Sequence, residues 1–200
     1  MKIIGITGGV GAGKSAVLDI IKDECNCYIL LADQAAHEVK KRGTVCYDEL
    51  VSLLGGKVLA PDGEIDKARM AAAIFDEKDR SLLDKVNGII HPRVREYILD
   101  KIKECRREGK VDYFFLEAAL LIEEGYKEVC DELWYIYAPV SVRADRLKRN
   151  RSYSDEKIRA IMASQSDEET FKRNCDRMID NGSDLEGVRT QIHQILSGER

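Results

Sequence analysis

Residues Gly8-Gly9-Val10-Gly11-Ala12-Gly13-Lys14-Ser15 carry the full G-x-x-x-x-G-K-[ST] spacing. Glycines at these positions let the backbone curl so that several N–H groups converge on one phosphate. A helix starting there adds partial positive charge. Lys14 can then reach the β- and γ-phosphates, and the Ser15 hydroxyl can ligate Mg²⁺. Gly9 to Ser15, with Ala16 after them, are therefore the expected triphosphate-binding residues. Asp33 is the next candidate, because a carboxylate at the C-terminal end of a second strand can orient or deprotonate a hydroxyl attacking the γ-phosphate. Asp33 also precedes a helical pattern, so an N-cap role stays open beside the chemical one. Glu117 follows a third apolar strand, where a Walker-B-type acid would meet Mg²⁺ directly or through water. Glu123 and Glu124 are weaker candidates of the same kind.

Basic residues concentrate at Arg143, Arg146, Lys148, Arg149, Arg151, Lys157 and Arg159. Such a segment suits a lid that closes on a triphosphate and offsets charge during phosphoryl transfer. Arg146 and one of Arg149 or Arg151 are expected to act there, with the remaining cations on the surface. His37 lies one helical turn after Asp33 and is expected to face the same cleft. His91 sits at an expected chain break near the substrate, and His193 is expected to be exposed on the last helix.

These groups need elements to position them. Ile3 to Thr7 reads as a strand leading into the glycine loop, and Ala16, Val17, Ile20 and Ile21 fall at helical spacing after it. A second strand is expected over Cys27–Ala32, with helices at about 34–42 and 45–54, the latter stopped by Gly55-Gly56. Asp66 is read as the N-cap of a helix through Phe75, and another helix is expected from about Asp79 to Ile90. His91-Pro92 should interrupt it, since a residue before proline is pushed out of the α region. A long helix then runs from Arg93 to about Gly109. Strands follow at Val111–Leu116, Glu132–Ala138 and Met178–Asp180, with helices over Val140–Asn150, from Ser154, and from Leu185. Strands alternating with helices imply a parallel sheet with right-handed crossovers, an α/β P-loop NTPase sandwich.

Two hundred residues suit one such domain. The expected layout is a core of about 1–33, 109–140 and 175–200, a helical insert of about 34–108, and a lid of about 141–174. The insert should pack over the C-terminal edge of the sheet, where ligands bind in such folds. The composition, 44% hydrophobic and 34% charged, is that of a soluble globular protein. A net charge of −4 offers no general attraction to nucleic acid or anionic membrane. No apolar run approaches the roughly 18 residues of a membrane span. With the first strand opening the chain and no signal peptide read ahead of it, a cytoplasmic location is expected. The six cysteines form no C-x-x-C pair and no zinc spacing with histidine, so free thiols are expected, several of them buried.

Taken together the motifs resemble the dephospho-CoA kinase family. The resemblance runs through Ile4 to Ser15, Ala32-Asp33 with His37-Glu38-Val39, and Leu54-Gly55-Gly56 with Asp62 to Asp66. It continues through Asn87 to Pro92, Leu120 to Glu123, Gln165 and Ile179-Asp180-Asn181. The chain has Ala119 where that family usually has proline, and Ile161 where an arginine is common. The resemblance implies phosphorylation of the ribose 3′-hydroxyl of dephospho-CoA by ATP with Mg²⁺, the last step of coenzyme A synthesis. It makes Asp33 the general base, Lys14 and the loop the ATP holders, the basic segment the lid, and the insert the part that embraces the CoA moiety. From the residues themselves, Arg146 is expected to be catalytic, Arg149 to bind ATP, and Asp33, His37, His91 and Glu117 to lie on the substrate side. A kinase for another small molecule or nucleotide is the alternative; the base-reading N-K-x-D element of a GTPase does not occur.

Overall fold

The computed structural model describes residues 1–75 and 81–198. In chain order the strands and α-helices are β1 (Lys2–Thr7), α1 (Lys14–Glu24), β2 (Cys27–Leu31), α2 (Ala32–Glu38), α3 (Val45–Leu54), α4 (Lys67–Phe75) and α5 (Ser81–Glu108). They continue with β3 (Tyr113–Glu117), β4 (Glu132–Tyr137), α6 (Val140–Arg151), α7 (Asp155–Ala163), α8 (Glu168–Asn174), β5 (Arg177–Asp180) and α9 (Leu185–Ser197). The fold is the expected parallel α/β type. The chain divides into two compact units, Met1–Leu30 with the chain from Glu108 onward, and Leu31–Arg107.

In the first unit the strand order is β2-β3-β1-β4-β5, and the pairs β1–β3, β1–β4 and β4–β5 are parallel. Strands covered on both faces must be apolar throughout rather than alternating. Ile3, Ile4 and Ile6 of β1, Phe114, Phe115 and Leu116 of β3, and Leu133 to Ile136 of β4 are all buried. Phe115 meets Trp134 edge-on at 5.6 Å. Two carboxylates fix the strand starts: Asp131 accepts the N–H of Ile3 at 2.7 Å and Asp176 that of Leu133 at 2.8 Å. Because β1 is central, with β3 on one side and β4 on the other, the loop after β1 sits at a topological switch point. Such points leave a crevice at the carboxyl ends of the strands.

In the second unit, α3 is capped by Thr44, whose hydroxyl accepts the N–H of Tyr47 at 3.1 Å. Asp66 caps α4 as expected, taking the N–H of Arg69 at 2.8 Å. The stretch is not wholly helical, since Leu59 and Ile65 form an antiparallel bridge across the Asp62-Gly63 turn.

Two sequence expectations are corrected. β2 ends at Leu31, and α2 starts at Ala32 and stops at Glu38, short of the expected 42. More substantially, His91-Pro92 does not break the chain: α5 runs unbroken for 28 residues with Pro92 inside it. An internal proline costs about 3 kcal/mol. Val86 before it and Val94, Ile98 and Ile102 after it are buried, at roughly 1.5–3 kcal/mol each, so tertiary burial outweighs the proline. The ring's steric conflict falls on the carbonyl of residue 88, a glycine with open space around it, where a helix yields most readily. The expected helix start at Asp79 lies outside the described residues. The six cysteines are free, and Cys46 alone among them is fully buried. Among the described residues no helix is long and apolar enough to cross a membrane.

Candidate active site

The loop after β1 has the conformation its glycines allow. Gly11 and Gly13 take φ of +80° and +85°, the left-handed region that side chains disfavour, and Gly13 is the N-cap of α1. A Cβ at Gly11 would lie 2.7 Å from the backbone carbonyl of Arg143, so the loop also has no room for one. Ala12 N–H bonds to Gly9 and Val17 N–H to Gly13, which closes the turn into α1. The N–H groups of Gly11, Gly13, Lys14 and Ser15 have no acceptor among the described residues. These are the orphan donors of a helix start, and a phosphate is their natural acceptor. Lys14 Nζ donates to the Gly8 carbonyl at 2.9 Å and lies 3.4 Å from Glu117 Oε1, so its ammonium is held beside the loop. Glu117 is the last residue of β3, adjacent to β1, which explains the pairing.

Ser15 is exposed in the first turn of α1. Its hydroxyl and the Glu117 carboxylate are hard oxygen donors. That set fits an Mg²⁺ ion, which keeps several waters and takes the rest of its ligands from substrate phosphates. Among the described residues no cluster of three or more histidine, cysteine or carboxylate side chains could cage a metal.

Four side chains brace the loop from behind. Arg143 Nε donates to the Val10 carbonyl at 2.9 Å, and Gln165 Oε1 accepts the Val10 N–H at 2.8 Å. Arg143 also reaches Gln165 at 3.4 Å, so the pair grips one residue from both sides of its backbone. Asn181, only 1% exposed, donates through Nδ2 to the Ala12 carbonyl at 2.7 Å. Arg146 bonds the same carbonyl at 3.2 Å and the Asn181 carbonyl at 2.9 Å. Burial lowers the Arg143 pKa from its usual value, as expected for a desolvated cation. Arg143 was expected on the surface and instead belongs to the loop's support. Arg146 was expected to act on the triphosphate; both its terminal nitrogens bond backbone carbonyls here. Arg149 is exposed on α6. Gln165 and Asn181 stood out in the sequence as motif residues without a role. Their polar side chains at the ends of apolar or helical segments were the available signal.

In the second unit, Asp33 occupies the first turn of α2. Leu31 is the N-cap, and Asp33 makes no capping bond, so the cap role left open from sequence does not hold. Its carboxylate is exposed and has no hydrogen bond or ion pair among the described residues. Asp33 and His37, one turn apart as expected, line a cavity of about 400 Å³ together with Lys40, Lys41, Glu64 and Lys67. His91, expected at a break, is an exposed residue within α5.

A parallel α/β sheet with a glycine loop, lysine and serine at its switch point defines a P-loop nucleotide-binding protein. Comparison with known proteins narrows this. A family model described as dephospho-CoA kinase matches residues 2–186. The dephospho-CoA kinase of Moorella thermoacetica is 35% identical over 192 residues, covering 96% of this chain and 89% of its own. That of Bacillus licheniformis is 33% identical, covering 97% and 94%. A solved structure from Thermus thermophilus matches with a TM-score of 0.81 at 25% identity, over 100% of this chain and 98% of its own. The dephospho-CoA kinase of Campylobacter jejuni shares the fold with a TM-score of 0.73 at 23% identity, over 98% and 96%. The chain belongs to the dephospho-CoA kinase family, whose reaction forms coenzyme A by ATP-dependent phosphorylation.

Proposed function

We propose that Asp33 takes the proton of the ribose 3′-hydroxyl of dephospho-CoA as that oxygen attacks the γ-phosphorus of ATP in line. The observation carrying this reading is that the Asp33 carboxylate, lining the cavity, neither caps α2 nor makes a hydrogen bond or ion pair among the described residues. An acid left unpaired two residues beyond the end of β2 is suited to a ligand proton. The open N–H groups from Gly11 to Ser15 bind the donor phosphates, and Lys14 follows the charge that builds on the transferring group. Glu117 holds Lys14 in reach of it. Ser15 would hold Mg²⁺, which when bound neutralises charge between the β- and γ-phosphates. Arg146 keeps the loop in register, and Arg149, exposed on α6, serves the ATP side. His37 and His91 are assigned to the acceptor side.

ATP, dephospho-CoA and Mg²⁺ are thus the proposed partners, and the cytoplasm the proposed location. The test is release of ADP from ATP with dephospho-CoA against a panel of hydroxyl acceptors, including nucleosides and nucleoside monophosphates. Turnover should require dephospho-CoA. Transfer to a nucleoside monophosphate in its place would overturn the assignment.

A further inference from the structure

The cavity beside Asp33 is lined by three lysines, Lys40, Lys41 and Lys67, and by the carboxylates of Asp33 and Glu64. Lys41 is paired with Glu38 at 2.7 Å, and the Glu64 carboxylate accepts the backbone N–H of Arg42 at 3.1 Å. Lys40 and Lys67 are different: neither ammonium has a hydrogen bond or ion pair among the described residues, yet both line the cavity. Lys40 is half-buried, and burial together with the nearby Lys67 holds its ammonium below the usual lysine range. Setting one partly desolvated cation beside another, with no carboxylate paired to either, does not stabilise a fold. The backbone at both positions is held in place. Lys40 follows α2, its N–H bonding the His37 carbonyl at 3.1 Å. Lys67 opens α4, placed by the Asp66 cap and by the Asp66 N–H on the Val58 carbonyl at 2.9 Å. Two lysines that line one cavity without an ion pair among the described residues suit an anionic ligand.

We propose that Lys40 and Lys67 form the subsite for the 5′-diphosphate of the acceptor. This rests on the reading of Asp33 as the residue facing the acceptor's 3′-hydroxyl. The acceptor then supplies what the cavity lacks. Its diphosphate diester carries two negative charges, one for each ammonium, and it is joined to the reacting hydroxyl through a single ribose. Asp33 lies in the same cavity, and its charge acts on Lys40. A volume of about 400 Å³ falls within the range of roughly 300–1,000 Å³ typical of small-molecule sites. Lysines here bind a part of the substrate remote from the reacting atoms. They contribute binding common to ground and transition states, which acts on KM more than on kcat.

The experiment compares wild type with Lys40→Gln, Lys67→Gln, the double glutamine variant and the double arginine variant. Binding of dephospho-CoA and of a non-hydrolysable ATP analogue is measured by calorimetry, alongside steady-state rates. Each glutamine variant should weaken dephospho-CoA binding about tenfold, as expected for losing a charge-assisted contact. KM for dephospho-CoA should rise by a similar factor with kcat falling less, while the ATP analogue binds as before. The double arginine variant should recover most of the loss, because the charge is kept. Three results would each overturn the subsite: unchanged dephospho-CoA affinity in the glutamine variants, an equal loss for the ATP analogue, or arginine variants no better than glutamine. Wild-type turnover with dephospho-CoA reads the kinase assignment separately, so an active wild type with unaffected variants sinks the subsite alone.

Discussion

Replacing Asp33 with asparagine keeps its size and removes only the proton acceptor. With Leu31 supplying the N-cap and no bond to lose, Asp33→Asn should leave α2 and ATP binding intact. If Asp33 is the base, kcat should fall ~10²-fold or more; near-normal turnover with dephospho-CoA would remove it from the mechanism. Single-turnover kinetics with saturating ATP gives the measurement. Asp33 could be picked out from sequence because a carboxylate after an apolar strand is legible in one dimension. Lys40 and Lys67 were not. Lysines lie on exposed surfaces by default, and what distinguishes these two is a shared cavity and missing partners, which only three dimensions reveal. Arg143 was assigned to the surface for a related reason, since a basic helix face reads as solvated until one of its cations is seen to reach back to Val10.

Gln165 lies between α7 and α8, and its one acceptor oxygen ties that segment to the phosphate loop. Removing it in Gln165→Ala leaves the Val10 N–H without a partner in a half-buried place, a penalty of about 1–3 kcal/mol. The loop should pay it as lost pre-organisation. KM for ATP is expected to rise about tenfold while KM for dephospho-CoA stays near wild type. Gln165→Glu retains the acceptor and faces Arg143, so it should keep most ATP affinity. Equal losses for both substrates, or no rescue by glutamate, would make Gln165 a general structural residue. Most of the helix and strand pattern was readable from apolar spacing and caps, down to Ser154 and Asp66, whereas α8, a short helix capped by Asp167, was not expected. Pro92 misled because its local preference is plain in sequence, whereas the burial of Val86, Val94, Ile98 and Ile102 that overrides it is tertiary.

At the scale of the molecule, packing sets the behaviour of the thiols. Burial, with Asp131 adding to it, pushes the Cys130 thiol from 9.0 up to about 12; burial and Cys27 take Cys25 to about 12 as well. The folded state therefore keeps a proton that the unfolded chain releases near pH 9. The corresponding stability is complete below about pH 9 and is lost as pH rises toward 12. Melting temperatures between pH 8 and 11 should fall less steeply for Cys130→Ala than for wild type, since Lys40 and the other titrating groups are common to both. Parallel slopes would show that Cys130 does not contribute. The bracing of the phosphate loop has a further consequence, for the order in which the chain is made. β1 and its glycines leave the ribosome before the side chains that grip them, which arrive with Arg143, Arg146, Gln165 and finally Asn181. These are contacts of high sequence separation, the kind that form late. A nascent chain that already displays the whole nucleotide-binding motif therefore still lacks the clamp that shapes it, and competence for ATP comes only after Asn181 has emerged.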